Sequence, residues 1–401
     1  MPKLVLIIGD GMPDRPIKEL GGKTPLQVAS IPNMNEIAKK GICGLMDTIA
    51  PGVRPGSDVS HLALLGYDPF KFYTGRGPFE AAGVEINVLP GDVAFRCNFA
   101  TVDENSIVID RRAGRIREGQ KLAKALNEIE IESANVKIIF KASTGHRAAL
   151  VLRGSVSDKV SDSDPKIINQ PIKEIIPLEK SRKAKITAEV LNEFTKKAHE
   201  ILKTHPVNEK RVSEGLPPAN VILIRGAGVV PHLPQITQQY GINATCIAAT
   251  GLVKGICKMA GMKIAEVLGM TGGIDTDTMA KGRAVLNALK EDDFVLVNVK
   301  GPDEASHDGN VEEKIKIIEK IDKMVGLILD ELNNNYIAIT SDHTSPINLR
   351  DHSGDPVPLA INGNGIRVDD VQEFNEISVI RGGLRRMRGI YLLPTLFDFL
   401  I

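Results

Sequence analysis

The chain alternates short, uninterrupted apolar runs with longer stretches of helical periodicity. Leu4–Gly9 (LVLIIG), 221–224 (VILI), Phe294–Val299 (FVLVNV) and Tyr336–Thr340 (YIAIT) are apolar at nearly every position. Strands exposed on one face would alternate, so these runs predict strands covered on both faces. Apolar residues recur at helical spacing through 183–202, 277–289 and 311–332. Strand followed by helix, repeated, predicts an α/β fold: a mostly parallel sheet with helices on both faces. One stretch breaks the rhythm. Residues 105–215 are more polar, with a turn-rich segment at 155–165, and Pro217-Pro218 punctuates the chain before the run at 221. The chemically suggestive motifs lie before residue 65 and after residue 300. We therefore expect a discontinuous catalytic domain, 1–100 with 230–401, interrupted by a smaller inserted α/β domain at 101–229.

Charge narrows the partners. Lys+Arg and Asp+Glu both number 50, so the formal net charge is zero. A nucleic-acid binder would carry a basic excess, which leaves a small molecule as the expected partner. Cys43, Cys97, Cys246 and Cys257 form no CxxC pair and read as reduced core residues of a cytosolic protein. The first apolar run ends before Asp10, too soon for a signal-peptide core, and no stretch reaches the 18 apolar residues of a membrane span. A cytoplasmic location without a membrane partner is the expectation; a homo-oligomer is compatible with all of this.

Chemistry-bearing residues follow the predicted strands. Asp10 comes directly after the first, Asp303 after the run at 294, and Asp342-His343 after the run at 336. Ligands of open parallel sheets bind beyond the carboxyl ends of the strands, so these side chains are expected to converge. His307 lies one helical turn beyond Asp303, and His352 sits in a Gly/Pro-rich loop. Three Asp and three His suit Mn²⁺, Co²⁺ or Zn²⁺, with carboxylates shifting preference toward Mn²⁺ and leaving Mg²⁺ admissible. Six such ligands and one further oxygen would hold two ions, the arrangement that clamps attacking and leaving oxygens in phosphoryl transfer. Ser57, in Pro55-Gly56-Ser57-Asp58-Val59-Ser60-His61, is the candidate for that oxygen, because a helix N-terminus favours bound phosphate and an ionised hydroxyl. The bland alternatives are that Ser57 is a helix cap and that Asp10 caps a turn.

Together with Ile7-Ile8-Gly9-Asp10-Gly11, Gly75-Arg76-Gly77-Pro78-Phe79-Glu80, Arg225-Gly226-Ala227-Gly228, Gly301-Pro302-Asp303-Glu304-Ala305-Ser306-His307 and Ser341-Asp342-His343, these motifs resemble the alkaline phosphatase superfamily. Within it they are similar to the archaeal-type cofactor-independent phosphoglycerate mutases, over nearly the whole chain. The resemblance implies an alkaline-phosphatase-like fold with an inserted lid, and interconversion of 3- and 2-phosphoglycerate through a phosphoserine at Ser57. It assigns one divalent ion to Asp303, His307 and His352, and another to Asp10, Ser57, Asp342 and His343. It also implies that no 2,3-bisphosphoglycerate primer is needed. Arg225 is the implied substrate arginine, and His146 and Arg147 the implied acid/base and anion contacts of the lid. Asp110, Arg111, Lys254 and Lys300 are further candidates. Competing readings are a phosphatase, a sugar-phosphate mutase such as a phosphopentomutase, and a non-catalytic metal- and phosphate-binding protein; the last has no use for a nucleophile.

Overall fold

The computed structural model describes residues 2–131, 134–331 and 335–400. Among them the strands are β1 (Leu4–Gly9), β2 (Ile42–Asp47), β3 (Val93–Val102), β4 (Val108–Asp110), β5 (Lys137–Ala142), β6 (Arg147–Arg153), β7 (Val221–Val229), β8 (Ala244–Ile247), β9 (Lys263–Ile264), β10 (Phe294–Val299), β11 (Tyr336–Thr340), β12 (Val357–Asn362) and β13 (Arg385–Arg388). The chain divides into two units, one built from the residues up to Tyr73 and from Leu233 onward, the other from Thr74–His232.

The first unit holds an eight-stranded sheet in the order β13-β2-β12-β11-β1-β10-β8-β9. It is mostly parallel; β12 alone runs against its neighbours β11 and β2. All six residues of β1 are buried, as expected of a central strand covered on both faces. Val5, Ile7, Val295, Val297, Ile337 and Ile339 pack with residues of the helices Pro32–Lys39, Thr278–Ala288 and Val311–Glu331. On the other face the Phe294 ring meets Phe397 of the helix Leu392–Asp398 edge-on at 5.8 Å. Asp277, the first residue of a predicted helix, is instead the cap of that helix, accepting from Ala280 N. Residue 332, the predicted end of the long helix, lies outside the described residues.

The register of the central strands sets the geometry of their carboxyl ends. Gly9 is opposite Val299, and Ile8 is opposite Thr340. Strands β1, β10 and β11 therefore end at one edge, and the residues directly after them emerge side by side.

The second unit corrects two expectations. The run at 221–224 is part of β7, which pairs antiparallel with β3 and lies outside the parallel sheet. The expected boundary at 100/101 falls inside β3, a ten-residue strand flanked by β6 and β7. Both partners come later in the chain, so composition near residue 100 carries no sign of the break, and the unit begins at Thr74. Its five strands are all antiparallel. Phe95, Cys97 and Phe99 face a core shared with Leu150, Leu152, Leu191 and Phe194, while Arg96 and Asn98 alternate with them. Among the described residues, no helix is long and apolar enough to cross a membrane.

Candidate active site

Three stretches leave the sheet edge and bring carboxylates together. Asp10, Asp303 and Asp342 are all buried. Gly11 shows why the approach can be so close: its φ is +65°, and a Cβ there would lie 2.7 Å from Asp303 Cβ. Only glycine meets both demands. Its N–H donates to Asp342 Oδ1 at 3.1 Å.

Asp303 is the centre of one cluster. His352 Nε2 lies 3.4 Å from its Oδ1 and His307 Nε2 3.5 Å from its Oδ2. The far nitrogens define the tautomers. His307 Nδ1 is 2.7 Å from the Arg350 carbonyl oxygen, and His352 Nδ1 is 2.8 Å from that of Pro55. A carbonyl only accepts, so Nδ1 carries a hydrogen, and in the neutral imidazole the Nε2 lone pair faces the carboxylate. Lone pairs converging on a carboxylate repel unless a cation lies between them, and a backbone carbonyl behind each imidazole is the usual support for a metal-binding histidine. The ligand atoms of these three residues lie within 4.8 Å of one another.

Asp10, Asp342, His343 and Ser57 form the second cluster. His343 Nε2 is 3.1 Å from Asp342 Oδ2, 3.7 Å from Asp10 Oδ1 and 3.1 Å from Ser57 Oγ. Ser345 Oγ joins the two clusters, donating to Asp303 Oδ1 at 2.8 Å and lying 3.0 Å from His343 Nδ1. Lys300 Nζ contacts Asp10 Oδ1 at 2.7 Å and Asp303 Oδ2 at 2.6 Å. One lysine does not balance three buried carboxylates, and Asp342 Oδ2 is buried without a hydrogen bond. The titration behaviour shows the imbalance. Burial, then Asp342, pushes Asp10 up despite Lys300. For Asp303 burial acts upward too, but Lys300 outweighs it and holds it well below the usual range. His343 is raised because Asp342 overcomes the effect of burial. Acceptors in excess, imidazoles with fixed lone pairs and an orphaned carboxylate oxygen fit divalent cations.

Ser57 is the first residue of the helix Ser57–Leu64, and Gly56 occupies the cap position. This removes the capping explanation. Ser57 Oγ lies 3.4 Å from Lys300 Nζ as well as beside His343. His61, which as a lone histidine reads as structural, stands behind it. Its Nδ1 is 2.7 Å from the Ser57 carbonyl oxygen, and its Nε2 accepts from Asn298 Nδ2, which also donates to Asp10 Oδ2. His61 and Asn298 thus hold Ser57 and Asp10 in position. A histidine one helical turn after the serine was the available signal; Asn298, inside an apolar run, offered none.

Lys254, in the first unit, is engaged by Glu266 at 2.7 Å. In the second unit, Asp110 accepts from Arg112 N and Gly114 N and so organises its own turn. Arg111 makes two hydrogen bonds to Asp164, which also lies 3.3 Å from Arg225. His146 is buried, and burial followed by Arg147, Arg112, Arg96 and Arg115 lowers its pKa to about 2. Burial and these arginines disfavour its charged form.

Sequence reasoning missed Arg76 and Arg96. Arg96 is opposite Arg225 in the β3–β7 register. Arg76 Nε pairs with buried Glu80 at 2.8 Å, and Arg96 Nε stands 3.7 Å from the same oxygen without a hydrogen bond. Burial, then Arg76 and Arg225, makes the Arg96 charge costly. Arg76, Arg96 and Arg147 act on buried Glu80, and Arg225, opposite Arg96, pairs with Asp164; guanidiniums so gathered suit an anion. An arginine inside the apolar run VAFRCNF was the signal.

A family model described as 2,3-bisphosphoglycerate-independent phosphoglycerate mutase matches residues 38–208. A protein of that name from Methanobrevibacter smithii is 52% identical over 403 residues, covering 99% of this chain and 98% of its own. The 2,3-bisphosphoglycerate-independent phosphoglycerate mutase 1 of Methanocaldococcus jannaschii is 52% identical over 401 residues, covering 99% and 97%. Among solved structures, a Pyrococcus horikoshii protein superposes with a TM-score of 0.85 at 39% identity, covering all of this chain and 97% of its own. The cofactor-independent phosphoglycerate mutase of Thermoplasma acidophilum superposes with a TM-score of 0.67 at 35% identity, covering both chains fully.

Proposed function

We propose a reaction from one premise: this chain belongs to the 2,3-bisphosphoglycerate-independent phosphoglycerate mutases. It interconverts 3-phosphoglycerate and 2-phosphoglycerate, a step of glycolysis and gluconeogenesis, through a phosphoserine at Ser57. The observation that carries this reading is Ser57 Oγ at the start of a helix, 3.1 Å from His343 Nε2 and 3.4 Å from Lys300 Nζ, within the second carboxylate–histidine cluster. A binding protein has no use for a hydroxyl so placed.

Asp303, His307 and His352 are the residues that would hold one divalent ion. Asp10, Asp342, His343 and Ser57 Oγ would hold the other. Their mixed oxygen and nitrogen donors favour Mn²⁺, with Co²⁺, Zn²⁺ and Mg²⁺ as alternatives. Bound ions supply Lewis-acid stabilisation of charge on the phosphoryl oxygens.

The chain's own groups do the rest. Ser57 Oγ loses its proton and bonds to phosphorus while the bond from phosphorus to O3 of the substrate breaks and O3 takes up a proton. Lys300 offsets negative charge at this point. The 2-hydroxyl of the retained glycerate then loses its proton and bonds to phosphorus while the bond from phosphorus to Ser57 Oγ breaks and Oγ takes up a proton. His146, buried and neutral, is not assigned either proton. Arg225, Arg147, Arg96 and Arg76 suit the carboxylate, which a planar guanidinium grips with two parallel hydrogen bonds. Water must be kept from the phosphoserine for transfer to win over hydrolysis.

The direct test gives the chain, loaded with Mn²⁺, 3-phosphoglycerate and no bisphosphate. Substrate labelled only in phosphate is mixed with substrate labelled only in carbon. Each 2-phosphoglycerate should keep its original label combination, with little free phosphate. Statistical scrambling would show that glycerate escapes between transfers, and extensive phosphate release would make the chain a phosphatase.

Arg225→Ala tests the arginines. Asp164 keeps two hydrogen bonds from Arg111, so the fold should survive. Losing a charge-assisted contact costs about 1.5–3 kcal/mol, which predicts a KM raised by roughly 10–100-fold with metal content unchanged. An unaltered KM would remove Arg225 from the substrate.

A further inference from the structure

A buried ion pair lies behind the two clusters. Lys314, on the helix Val311–Glu331, has no exposed surface. Its ammonium donates to Asp14 Oδ2 at 2.8 Å, to the Ser345 carbonyl at 2.9 Å and to the Pro13 carbonyl at 3.2 Å. Three protons meet three acceptors, so the ammonium is fully satisfied without water. The Asp14 carboxylate also accepts from Ile347 N, and Ser345 N donates back to the Pro13 carbonyl at 3.2 Å.

These contacts join two loops. Residues 10–14 follow β1 and begin with Asp10; residues 341–347 follow β11 and carry Asp342, His343 and Ser345. Ser345 is the hydroxyl that bridges Asp303 and His343. Breaking a buried pair by removing one partner is costly, whereas apolar residues of similar size commonly replace the whole pair without loss. The pair's value to the chain therefore lies in its directed hydrogen bonds.

We propose that Lys314 and Asp14 are positioning residues that hold the second metal-binding cluster together, by fixing the loop of Asp10 against the loop of Asp342 and His343, and that orient Asp303 of the first through Ser345. This role rests on the reading of both clusters as metal sites. Removing either partner frees Ser345 to shift, and with it the orientation of Asp303 and His343. Supporting groups of this kind change metal affinity by about 10–100-fold when lost.

The test uses the full chain with Mn²⁺ as probe and two single variants, Lys314→Met and the near-isosteric Asp14→Asn. Folding is followed by circular dichroism, Mn²⁺ affinity by competition with a chelator, and kcat and KM at saturating Mn²⁺. The expected result is Mn²⁺ affinity lower by about tenfold or more and a reduced kcat, with KM changed less than threefold. If Lys314→Met does not fold, Asp14→Asn decides alone; if neither folds, Lys314→Met with Asp14→Leu, which leaves no unpaired charge, decides. Folded variants that melt lower but bind Mn²⁺ within twofold of the parent overturn the proposal and leave the metal reading intact. A parent chain that binds no divalent ion overturns both.

Discussion

Ser57→Ala should lose phosphoglycerate mutase activity by roughly 10⁴–10⁶-fold, the scale seen when a covalent nucleophile is deleted. Every route from substrate to product in the proposed reaction passes through the Ser57 Oγ–phosphorus bond. No neighbouring hydroxyl replaces it: Ser345 Oγ is committed to Asp303 and His343, and Ser60 Oγ is buried. The variant should fold normally, because Ser57 is not the helix cap and its hydroxyl makes no backbone hydrogen bond among those described. Asp10, Asp342 and His343 remain, so metal content should stay close to that of the parent. Initial rates with 3-phosphoglycerate, circular dichroism and metal analysis of the same preparation separate these effects. Acid quenching of the parent during turnover should trap phosphate on the peptide containing Ser57, and the variant should trap none. Activity within tenfold of the parent would remove Ser57 from the nucleophile's place.

Asp303→Ala should have an effect of comparable size for a different reason. Its two carboxylate oxygens meet His352, His307, Lys300 and Ser345. Truncation removes the anionic centre of the first cluster, and two neutral imidazoles alone bind a divalent ion weakly. The variant should keep one ion per chain, in the cluster of Asp10, Asp342 and His343, and lose activity by about 10³-fold or more. Chelation of the parent should abolish activity, with recovery best on adding Mn²⁺. Two ions bound to Asp303→Ala would show that the ligands are divided differently. A single ion in a fully active parent would refute the two-metal proposal.

Much of the site is legible in the sequence because its chemistry sits in local motifs. Asp10, Asp303 and Asp342-His343 each follow an apolar run, and the structure brings all of them together with His307, His352, Ser57 and Lys300. Lys254, Asp110 and Arg111 stand in the sequence as isolated charges near motifs. The structure commits them to Glu266, to a local turn and to Asp164. Nothing in the residues around a lone charge states which partner will neutralise it. His146 has the same character: its motif suggests an acid/base, while its burial among arginines is not stated by the residues beside it. Arg96 was legible in principle, since an arginine inside an apolar strand must face an anion or carry a heavy desolvation cost.

Burial on both faces is legible from residue order, because a strand so covered must be apolar at nearly every position. That property is local and survives without knowledge of neighbours, as β1, β10 and β11 show. The candidate ligand inventory is legible there too, since metal chemistry depends on residue type. Pairing was decided by the tertiary structure alone. The run at 221–224 is as apolar as the rest, yet joins β3 in the antiparallel sheet, and the second unit begins at Thr74, well before the expected boundary, because β3 finds its partners far along the chain. Hydrogen-bonded partners, unlike apolar periodicity, are chosen among segments distant in sequence, so only the folded chain could put Lys314 against Asp14, or Gly11 against Asp303.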